Sequence, residues 1–284
     1  MENAGFIVCK CDKIMGANID LDFPSVGATE NIILASVYAE GITTITNAAM
    51  EPEIMDLANC LNKMGAKIEG AGTSNITITG VQKLKDISYN VMPDRIEAGS
   101  LLCMVAATGG KVRLNNVIIE NINPVLSKLE ESGCKIEKEK NSIYLEAPKK
   151  LKAVDIKTMP YPGFPTDMQS VFASMLTTAK GTSVIVENIF ENRYKFMAEL
   201  KKMGAKITTE GKTAVIKGVR RLSGAKVIST DLRGGAALVT AGLVARGKTE
   251  ITNIEYILRG YEGLDKKLQQ LGAKIIVKED NVQG

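Results

Sequence analysis

One octapeptide recurs four times along this chain, as LNKMGAKI at residues 61–68, LEESGCKI at 129–136, LKKMGAKI at 200–207 and LQQLGAKI at 268–275. The glycines at its fifth position are separated by 68, 71 and 68 residues. Self-similarity at a fixed period is typical of chains assembled from one repeated structural unit. The sequence therefore predicts four copies of such a unit.

Each copy carries two further markers upstream of the octapeptide. An apolar run with helical spacing ends near a glycine, and a stretch of alternating residues then leads to an asparagine. The glycines are Gly41, Gly110, Gly181 and Gly247, and the asparagines are Asn47, Asn116, Asn188 and Asn253. Glycine is favoured where a helix ends with a positive φ, and asparagine is favoured at turns. We expect a helix, a strand and a turn in this order in every copy.

The first copy predicts the content of the whole unit. We expect a helix over residues 29–39, a strand ending at Asn47, and a second helix that begins at Pro52 and ends at Gly65. The stretches AKIEGA and NITITGV follow as strands, and ISYNVMP is a leading strand of the second copy, which gives a βαβαββ unit of α/β class. Unit boundaries fall near Asp22, Met92, Met159 and Thr230. Because so small a sheet cannot cover its own apolar faces, several units must pack around a shared centre.

The composition limits which residue types can perform acid–base chemistry and which partners are expected. The chain has 284 residues, of which 45% are apolar and 24% charged, with a formal net charge of +4. This charge is spread in mixtures of both signs and is too small to indicate a nucleic-acid partner. Histidine is absent, so acid–base chemistry falls to Asp, Glu, Lys, Tyr or Cys. The sequence also offers no cluster of residues with metal-ligand spacing.

The cysteines and the hydropathy predict a compartment. Five cysteines, an odd number, lie mostly in or beside apolar runs, at Cys9, Cys11, Cys60, Cys103 and Cys134. Buried thiols in a reducing environment are expected rather than disulfides. No stretch reaches the roughly 18 apolar residues that span a bilayer, and early charges interrupt any signal-peptide pattern. We expect a cytoplasmic protein with no membrane partner.

Seven strings are specific enough to indicate a family. They are DFPSVGATEN (22–31), NAAMEPEIMDLAN (47–59), MPDRIEAG (92–99), YPGFPTDMQ (161–169), IFENRY (189–194), TDLRGGAAL (230–238) and RGYE (259–262). In order and spacing they resemble the UDP-N-acetylglucosamine 1-carboxyvinyltransferases, the enolpyruvyl transferases of cell-wall synthesis, over essentially the whole chain. The relative that uses shikimate phosphate shares the fold but not these strings.

The resemblance implies six βαβαββ units arranged as two three-fold domains of the inside-out α/β barrel type. Four units are expected here, with residues 1–91 as the remainder of the first domain and 92–284 as a near-complete second domain. Residues 1–21 resemble the closing strand of a unit whose beginning is absent. We expect the incomplete domain to expose apolar surface and to associate with itself or with a separate N-terminal fragment.

The reaction that the resemblance implies moves the enolpyruvyl group of phosphoenolpyruvate to the 3-hydroxyl of UDP-N-acetylglucosamine and releases phosphate. This is the first committed step of peptidoglycan synthesis, and it requires no metal or organic cofactor. It needs a base, an acid and cations that hold two anionic substrates.

Asp167 matches the presumed base of the family, beside the attacking hydroxyl. The alternative is a helix N-cap, because Asp94 and Asp231 hold the same place in sister units. A cap stabilises a helix by about 0.5–2 kcal/mol and would explain all three residues. The sequence leaves both roles open.

Arg233 and Arg259 match arginines that bind or position the phosphoenolpyruvate anion, and guanidinium forks suit phosphate and carboxylate. The alternative for each is a surface salt bridge. The pair Gly234-Gly235 departs from the bulkier residue that the family usually has after Asp-Leu-Arg.

Ser25, Val26 and Gly27 match the loop that meets the uridine-diphosphate end, where a helix N-terminus offers an anion site. The alternative is an ordinary cap by Ser25. Phe23 stands where some members have lysine, so one phosphate contact is expected to be absent.

Six more residues lie within the family strings. Ile189 and Phe190 match residues that line the nucleotide-sugar pocket and would otherwise be assigned to the core. The others are Glu51, Glu53, Arg95 and Arg193. The resemblance implies that Glu51, Arg95 and Arg193 bind substrate, while structural ion pairs are the first expectation for all four.

The reactive cysteine of the family, its presumed proton donor, lies upstream of every residue present here, and none of the five cysteines matches it. We therefore expect an enzyme by descent whose chain is weakly active or inactive alone. One alternative is a non-catalytic nucleotide-sugar-binding fragment or one part of a split enzyme. Another is RNA-end processing, which the absence of histidine and the small net charge disfavour.

Overall fold

The helices and strands follow the repeat of the sequence. The structure is a computed structural model that describes residues 2–3, 6–7 and 10–278. It divides into unit 1, made of Met1–Met92 with Pro160–Pro162, and unit 2, made of Pro93–Met159 with Gly163–Gly284. Within the described ranges, no helix is long and apolar enough to cross a membrane.

Unit 1 contains one complete βαβαββ repeat. Its elements are β1 (Glu2–Asn3), β2 (Phe6–Ile7), β3 (Asn18–Asp20), α1 (Val26–Ser36), β4 (Ile42–Thr46), α2 (Pro52–Met64), β5 (Lys67–Glu69) and β6 (Asn75–Thr79). Strands β1 and β2 form an antiparallel pair, and the other strands form one sheet in the order β3-β4-β6-β5. Strands β3 and β4 are parallel, so a crossover must join them, and α1 supplies it.

Unit 2 contains the other three repeats. Its elements are α3 (Arg95–Thr108), β7 (Lys111–Asn115), a 3₁₀ helix (Ile119–Ile122), α4 (Asn123–Glu131), β8 (Lys135–Glu139), β9 (Ser142–Glu146), β10 (Ile156–Lys157), α5 (Thr166–Leu176), β11 (Thr182–Val186), α6 (Phe196–Lys202), β12 (Lys206–Glu210), β13 (Thr213–Lys217), β14 (Lys226–Ile228), α7 (Leu232–Val244), β15 (Glu250–Thr252), α8 (Glu255–Leu258) and α9 (Leu264–Gln270). The sheets have the orders β7-β9-β8, β10-β11-β13-β12 and β14-β15. The middle sheet thus repeats the four-strand order of unit 1.

The centre of unit 2 is a group of buried helices. Helices α3, α5 and α7 pack against one another in all three pairings, and each also contacts a strand of its own repeat. In α5 every residue from Met168 to Leu176 is buried. A helix that is buried on all sides needs neighbours all around it. The expectation that several repeats share one centre is confirmed for these three.

Helix α1 holds the same place in the repeat of unit 1 but is much less buried. Its buried residues are Thr29, Ile33 and Ser36. Leu34 is 51% exposed, and Tyr38, just beyond the helix, is 55% exposed. The predicted exposure of apolar surface in unit 1 is confirmed at these two side chains.

The two glycines of each repeat differ in their roles. Gly65 ends α2 with φ 106° and donates its N–H to Asn62, as the sequence predicts. Gly41 does not end a helix, because α1 stops at Ser36. It has φ 96° and directly precedes β4. A turn therefore separates the first helix from this glycine, and the predicted helix end there is wrong.

The asparagine turns are confirmed in three repeats. Asn47, Asn116 and Asn253 have φ values of 55°, 59° and 56°, the left-handed region in which asparagine is tolerated. Asn188 is not among the left-handed residues of the described chain. In that repeat Glu187 directly follows the five-residue strand β11, in the place of the other asparagines. The turn position of the third repeat is therefore Glu187, and the turn predicted at Asn188 is wrong by one residue.

Two predicted elements also differ. The first helix spans Val26–Ser36 rather than 29–39, because Ser25 caps it and accepts a hydrogen bond from Ala28 N (3.3 Å). The ISYNVMP stretch is not a strand. Instead, the Tyr89 hydroxyl donates to the Asp56 carboxylate (2.8 Å), which anchors this stretch on α2. That acceptor raises the pKa of Tyr89 to about 12.

The described cysteines agree in part with the prediction of buried thiols. Cys103 and Cys134 are buried, and burial raises the pKa of both thiols. Cys60 is half-buried, and Cys11 is exposed and lies outside any strand. Cys9 lies outside the described residues. The strand predicted around Cys11 is therefore wrong at that residue.

The burial of the central helices leads to a testable prediction about stability. Leu102→Ala removes a fully buried side chain of α3, so we expect the free energy of unfolding to fall by about 2–5 kcal/mol. Leu271→Ala changes the same residue type where the side chain is 47% exposed, and we expect a loss of about 0.5 kcal/mol or less. Urea unfolding of both variants measures the difference. Equal losses would mean that the three helices are not the centre of this unit.

Candidate active site

Asp167 does not cap the helix at which it lies. It is the second residue of α5, whose N-cap is Pro165, and it makes no capping bond. Asp94 and Asp231 do cap their helices, since each carboxylate accepts from two backbone amides one turn on. The alternative of a cap is thus confirmed for the two sister residues and wrong for Asp167. Its carboxylate is left for other partners.

Two arginines from different elements hold the Asp167 carboxylate. Arg193, from the loop after β11, pairs with Oδ1, and Arg233, the second residue of α7, donates to Oδ2 at 3.1 Å. The Asp167 side chain is 39% exposed, whereas the two arginine side chains are 16% and 17% exposed. The carboxylate therefore keeps an open side while its cations are largely covered. Each ionised pair makes a charge-assisted hydrogen bond.

The two cations determine the protonation of Asp167. Burial alone raises the pKa of this carboxyl, but the charges of Arg233 and then Arg193 outweigh burial and hold the pKa below its usual value. The group is therefore ionised at neutral pH. It can accept a hydrogen bond from a hydroxyl that approaches from the open side.

Arg233 is itself positioned from behind. Its Nη1 donates to the Tyr261 hydroxyl at 3.3 Å, and that hydroxyl lies 2.9 Å from Ser100 Oγ. Tyr261 is 1% exposed and Ser100 is fully buried. The polar chain thus runs from α3 through Tyr261 to α7 and Asp167. Tyr261 lies within the RGYE string but is not among the predicted site residues.

The loop after β11 carries the other predicted pocket residues. Phe190 is 48% exposed, and the Arg193 guanidinium lies 4.7 Å from the centre of its ring. Ile189 is half-buried. A core role is therefore wrong for Phe190, and the expected ion pair of Arg193 is confirmed with Asp167 as its partner. The structure brings Asp167, Arg193, Arg233 and Phe190 together.

Arg259 and Arg95 belong to other parts of unit 2. Arg259 follows α8 with an exposed side chain, and its guanidinium lies 5.8 Å from the Tyr256 ring. Arg95 is the first residue of α3 and is buried. Among the described residues, the ion-pair partners of Asp167 are the two arginines named above. The substrate contacts predicted for Arg259 and Arg95 remain predictions.

The site residues of unit 1 surround the start of α1. Ser25 is the N-cap, Val26 and Gly27 open the helix, and Phe23 is 45% exposed. The capping alternative is confirmed for Ser25, while anion binding at this N-terminus remains a prediction. Glu51 precedes α2 and accepts a hydrogen bond from the Tyr161 N–H at 3.4 Å, a backbone contact where an ion pair was expected.

The described residues contain no group of three or more His, Cys, Asp or Glu side chains that could hold a metal ion.

Arg233→Met tests the electrostatics of the site. Because Arg233 is the larger of the two cationic influences, we expect the pKa of Asp167 to rise in the variant. A carboxyl whose pKa is depressed in the folded state contributes stability above its unfolded pKa of about 3.9 and loses it as the pH falls through the folded value. The variant should therefore be less stable than the wild type at pH ~7, and the difference should shrink below pH ~4.

The measurements are a carboxyl NMR titration of Asp167 and urea unfolding at both pH values. Arg259→Met is the control, because Arg259 is exposed and contacts Tyr256, and it should leave the titration of Asp167 unchanged. An unchanged Asp167 titration in Arg233→Met would contradict the assigned cause of the shift.

Comparisons with known proteins agree with this arrangement. The family model described as EPSP synthase (3-phosphoshikimate 1-carboxyvinyltransferase) matches residues 2–268. The chain is 56% identical over 274 residues to UDP-N-acetylglucosamine 1-carboxyvinyltransferase 1 of Caldanaerobacter subterraneus subsp. tengcongensis, covering 96% of this chain and 66% of that protein. It is 53% identical over 272 residues to the UDP-N-acetylglucosamine 1-carboxyvinyltransferase of Thermodesulfovibrio yellowstonii, covering 95% and 65%.

A solved structure shows the same fold. The enolpyruvyl transferase NikO from Streptomyces tendae superposes with a TM-score of 0.82 at 25% identity, covering 93% of this chain and 65% of that one. The chain thus spans just under two thirds of the length of the proteins it matches. The resemblance of the seven strings is confirmed, and the chain belongs to the enolpyruvyl transferase family, in the branch of the UDP-N-acetylglucosamine 1-carboxyvinyltransferases.

Proposed function

We propose that this chain contributes to the transfer of the enolpyruvyl group from phosphoenolpyruvate to the 3-hydroxyl of UDP-N-acetylglucosamine, with release of phosphate. The observation that carries the proposal is the Asp167 carboxylate, held between Arg193 and Arg233 with one side open. This arrangement provides one hydrogen-bond acceptor for a hydroxyl and two cations for anionic substrates.

Asp167 is the base in this proposal. Its carboxylate takes the proton of the sugar hydroxyl while the hydroxyl oxygen forms a bond to C2 of phosphoenolpyruvate and C3 gains a proton. In the second step C3 loses a proton and the C2–O bond to phosphate breaks. The products are the enolpyruvyl ether and inorganic phosphate, so atoms and charge balance.

Arg233 links the base to the anionic substrate. In the structure its charge keeps the pKa of Asp167 low, which makes the carboxylate a good acceptor but a weak base. A phosphate or carboxylate group beside Arg233 would share this cation and raise the basicity of Asp167. Binding of phosphoenolpyruvate would thus prepare the base for the sugar hydroxyl. Arg259, with its exposed guanidinium, is a further cation for the same anion.

Two groups of residues are candidate contacts for a nucleotide sugar. In unit 2 they are Ile189, Phe190 and Arg193. In unit 1 the start of α1 at Ser25, Val26 and Gly27 is a separate candidate anion site. Cys103 and Cys134 are not assigned as the proton donor for C3, because both side chains are buried away from a substrate. We assign the donor to the part of the family that this chain does not match.

The domain organisation belongs to the same proposal. The four repeats correspond to four of six family units, with residues 1–91 as the remainder of one domain and 92–284 as the second. In this proposal the protein acts in the cytoplasm in peptidoglycan synthesis. The alternative is a fragment that binds the nucleotide sugar without reaction.

Phosphate release tests the proposal. The chain is assayed with phosphoenolpyruvate and UDP-N-acetylglucosamine, alone and together with the unmatched N-terminal third of the Caldanaerobacter relative. We expect release that requires both substrates, and we expect the chain alone to be slower by roughly 10²–10⁴-fold because the proton donor is absent. Binding of the nucleotide sugar without release in either arm would favour the alternative. The absence of both binding and phosphate release would contradict the proposal.

Asp167→Asn tests the base. We expect phosphate release in the complemented assay to fall by roughly 10²–10⁴-fold, because an amide accepts no proton. Asp94→Asn is the matched control, since Asp94 starts a sister helix as its cap and asparagine caps a helix as well as aspartate does. It should keep the wild-type rate. Equal rates in the two variants would remove Asp167 from the mechanism.

A further inference from the structure

Glu187 is a buried carboxylate in the loop region after β11. It is 1% exposed. Its Oε1 accepts from Thr158 Oγ1 (2.9 Å), Ile189 N (2.9 Å) and Phe190 N (3.1 Å), and its Oε2 accepts from Thr166 Oγ1 (3.0 Å). A buried carboxylate is costly unless its lone pairs are satisfied. Hydroxyls and amides from three segments meet that need here.

Two of the three segments build the candidate active site. Thr166 opens α5 and directly precedes Asp167. Ile189 and Phe190 lie in the loop of residues 188–193, which ends at Arg193. One carboxylate therefore ties the helix that carries the base to the loop that carries its arginine partner.

The other repeats are built differently at this position. After β4 and β7, a left-handed asparagine is followed by a backbone amide that returns to the hairpin, from Ala48 to Ser74 O and from Val117 to Asn141 O. After β11, Glu187 N itself donates to Lys212 O (2.8 Å), one residue earlier. The next amide, Asn188 N, then turns to Thr158 Oγ1 (2.8 Å). The chain thus leaves the sheet by a different route in the repeat that carries Asp167.

The far end of the 188–193 loop is also fixed. The Tyr194 hydroxyl donates to Lys212 O (2.9 Å) and to Ile185 O (3.1 Å). Between the two anchors Phe190 stays 48% exposed, with Arg193 stacked 4.7 Å from its ring centre. The loop therefore has anchored ends and an exposed aromatic side chain between them.

We propose that Glu187 is a positioning residue of the active site. It replaces the left-handed asparagine of the repeat and fixes the 188–193 loop so that Arg193 reaches Asp167 and Phe190 faces outward. The identity of the bound molecule, a nucleotide sugar, rests on the proposed function. The four hydrogen bonds that Glu187 accepts, which we call the clamp, lie within unit 2 and do not depend on the proposed function.

Glu187→Met keeps the length of the side chain and removes every acceptor, while Glu187→Gln keeps one carbonyl oxygen for the amides of Ile189 and Phe190. Glu199→Met is the matched control, because Glu199 is 8% exposed, pairs with Lys202 (2.7 Å) and accepts from Ile228 N (3.0 Å) in the same unit. Amide hydrogen exchange and the thermal unfolding midpoint are measured for the three variants and the wild type.

We expect amide exchange at Ile189 and Phe190 to accelerate by about tenfold or more in Glu187→Met, since bonds to a charged acceptor are lost. Glu187→Gln should preserve most of the protection. Glu199→Met should accelerate exchange at Ile228 and leave Ile189 and Phe190 unchanged, even if both methionine variants melt at the same lower temperature. Unchanged exchange at Ile189 and Phe190 in folded Glu187→Met, or the same increase in Glu199→Met, overturns the proposal.

A measurement of ligand binding distinguishes a failure of the clamp from a failure of the proposed function. We expect Glu187→Met to raise the dissociation constant for UDP-N-acetylglucosamine by about tenfold or more, with little change in Glu187→Gln and Glu199→Met. If the wild-type chain binds no nucleotide sugar, the proposed function fails while the exchange experiment still decides the clamp. If exchange rises in Glu187→Met but the dissociation constant equals that of the wild type, the loop does not position the ligand and the proposal is overturned.

Discussion

Burial of the central helices α3, α5 and α7 against one another is the constraint on which the rest of unit 2 depends. These helices are buried on most sides, so each needs neighbours around it, and the other repeats supply them. The sheets then lie against this centre, with contacts from each helix to its own strands. A single repeat would leave the same helix exposed, and α1 of unit 1 illustrates this with Leu34 and Tyr38 largely open to solvent.

The candidate active site uses the ends of these same helices. Asp167 and Arg233 lie in the first turns of α5 and α7, and Ser100 of α3 supports Arg233 through Tyr261. Because the helices are held rigidly by packing, the groups at their ends are held as well. The sister aspartates bond their own helix amides, whereas Asp167 bonds arginines.

The third repeat departs from its sisters where it serves the site. Its turn position carries Glu187 in place of a left-handed asparagine, and its helix start carries an ion-paired aspartate in place of a capping one. Both side chains bond to residues that are distant in the chain, 21 and 29 residues away for Glu187 and 26 and 66 residues away for Asp167. The asparagine turn and the helix cap of the other copies are absent here because these two side chains bond to other segments of the site.

The amino-acid sequence by itself determined the repeat, its helix and strand order, the glycine ends of the outer helices and the family. These features depend on periodicity and on the backbone preferences of glycine and asparagine, which act over a few residues. The octapeptide glycines locate the end of a helix such as α2 nearly to the residue. The ISYNVMP stretch is not the predicted strand, and its Tyr89 bonds to Asp56 on α2 instead. Only the tertiary structure decided that Asp167 is ion-paired, that Tyr261 supports Arg233, and that Glu187 joins the loop to α5. These partners are 21 to 66 residues apart in the chain, and which of several aspartates meets two arginines depends on how the repeats pack rather than on any local pattern.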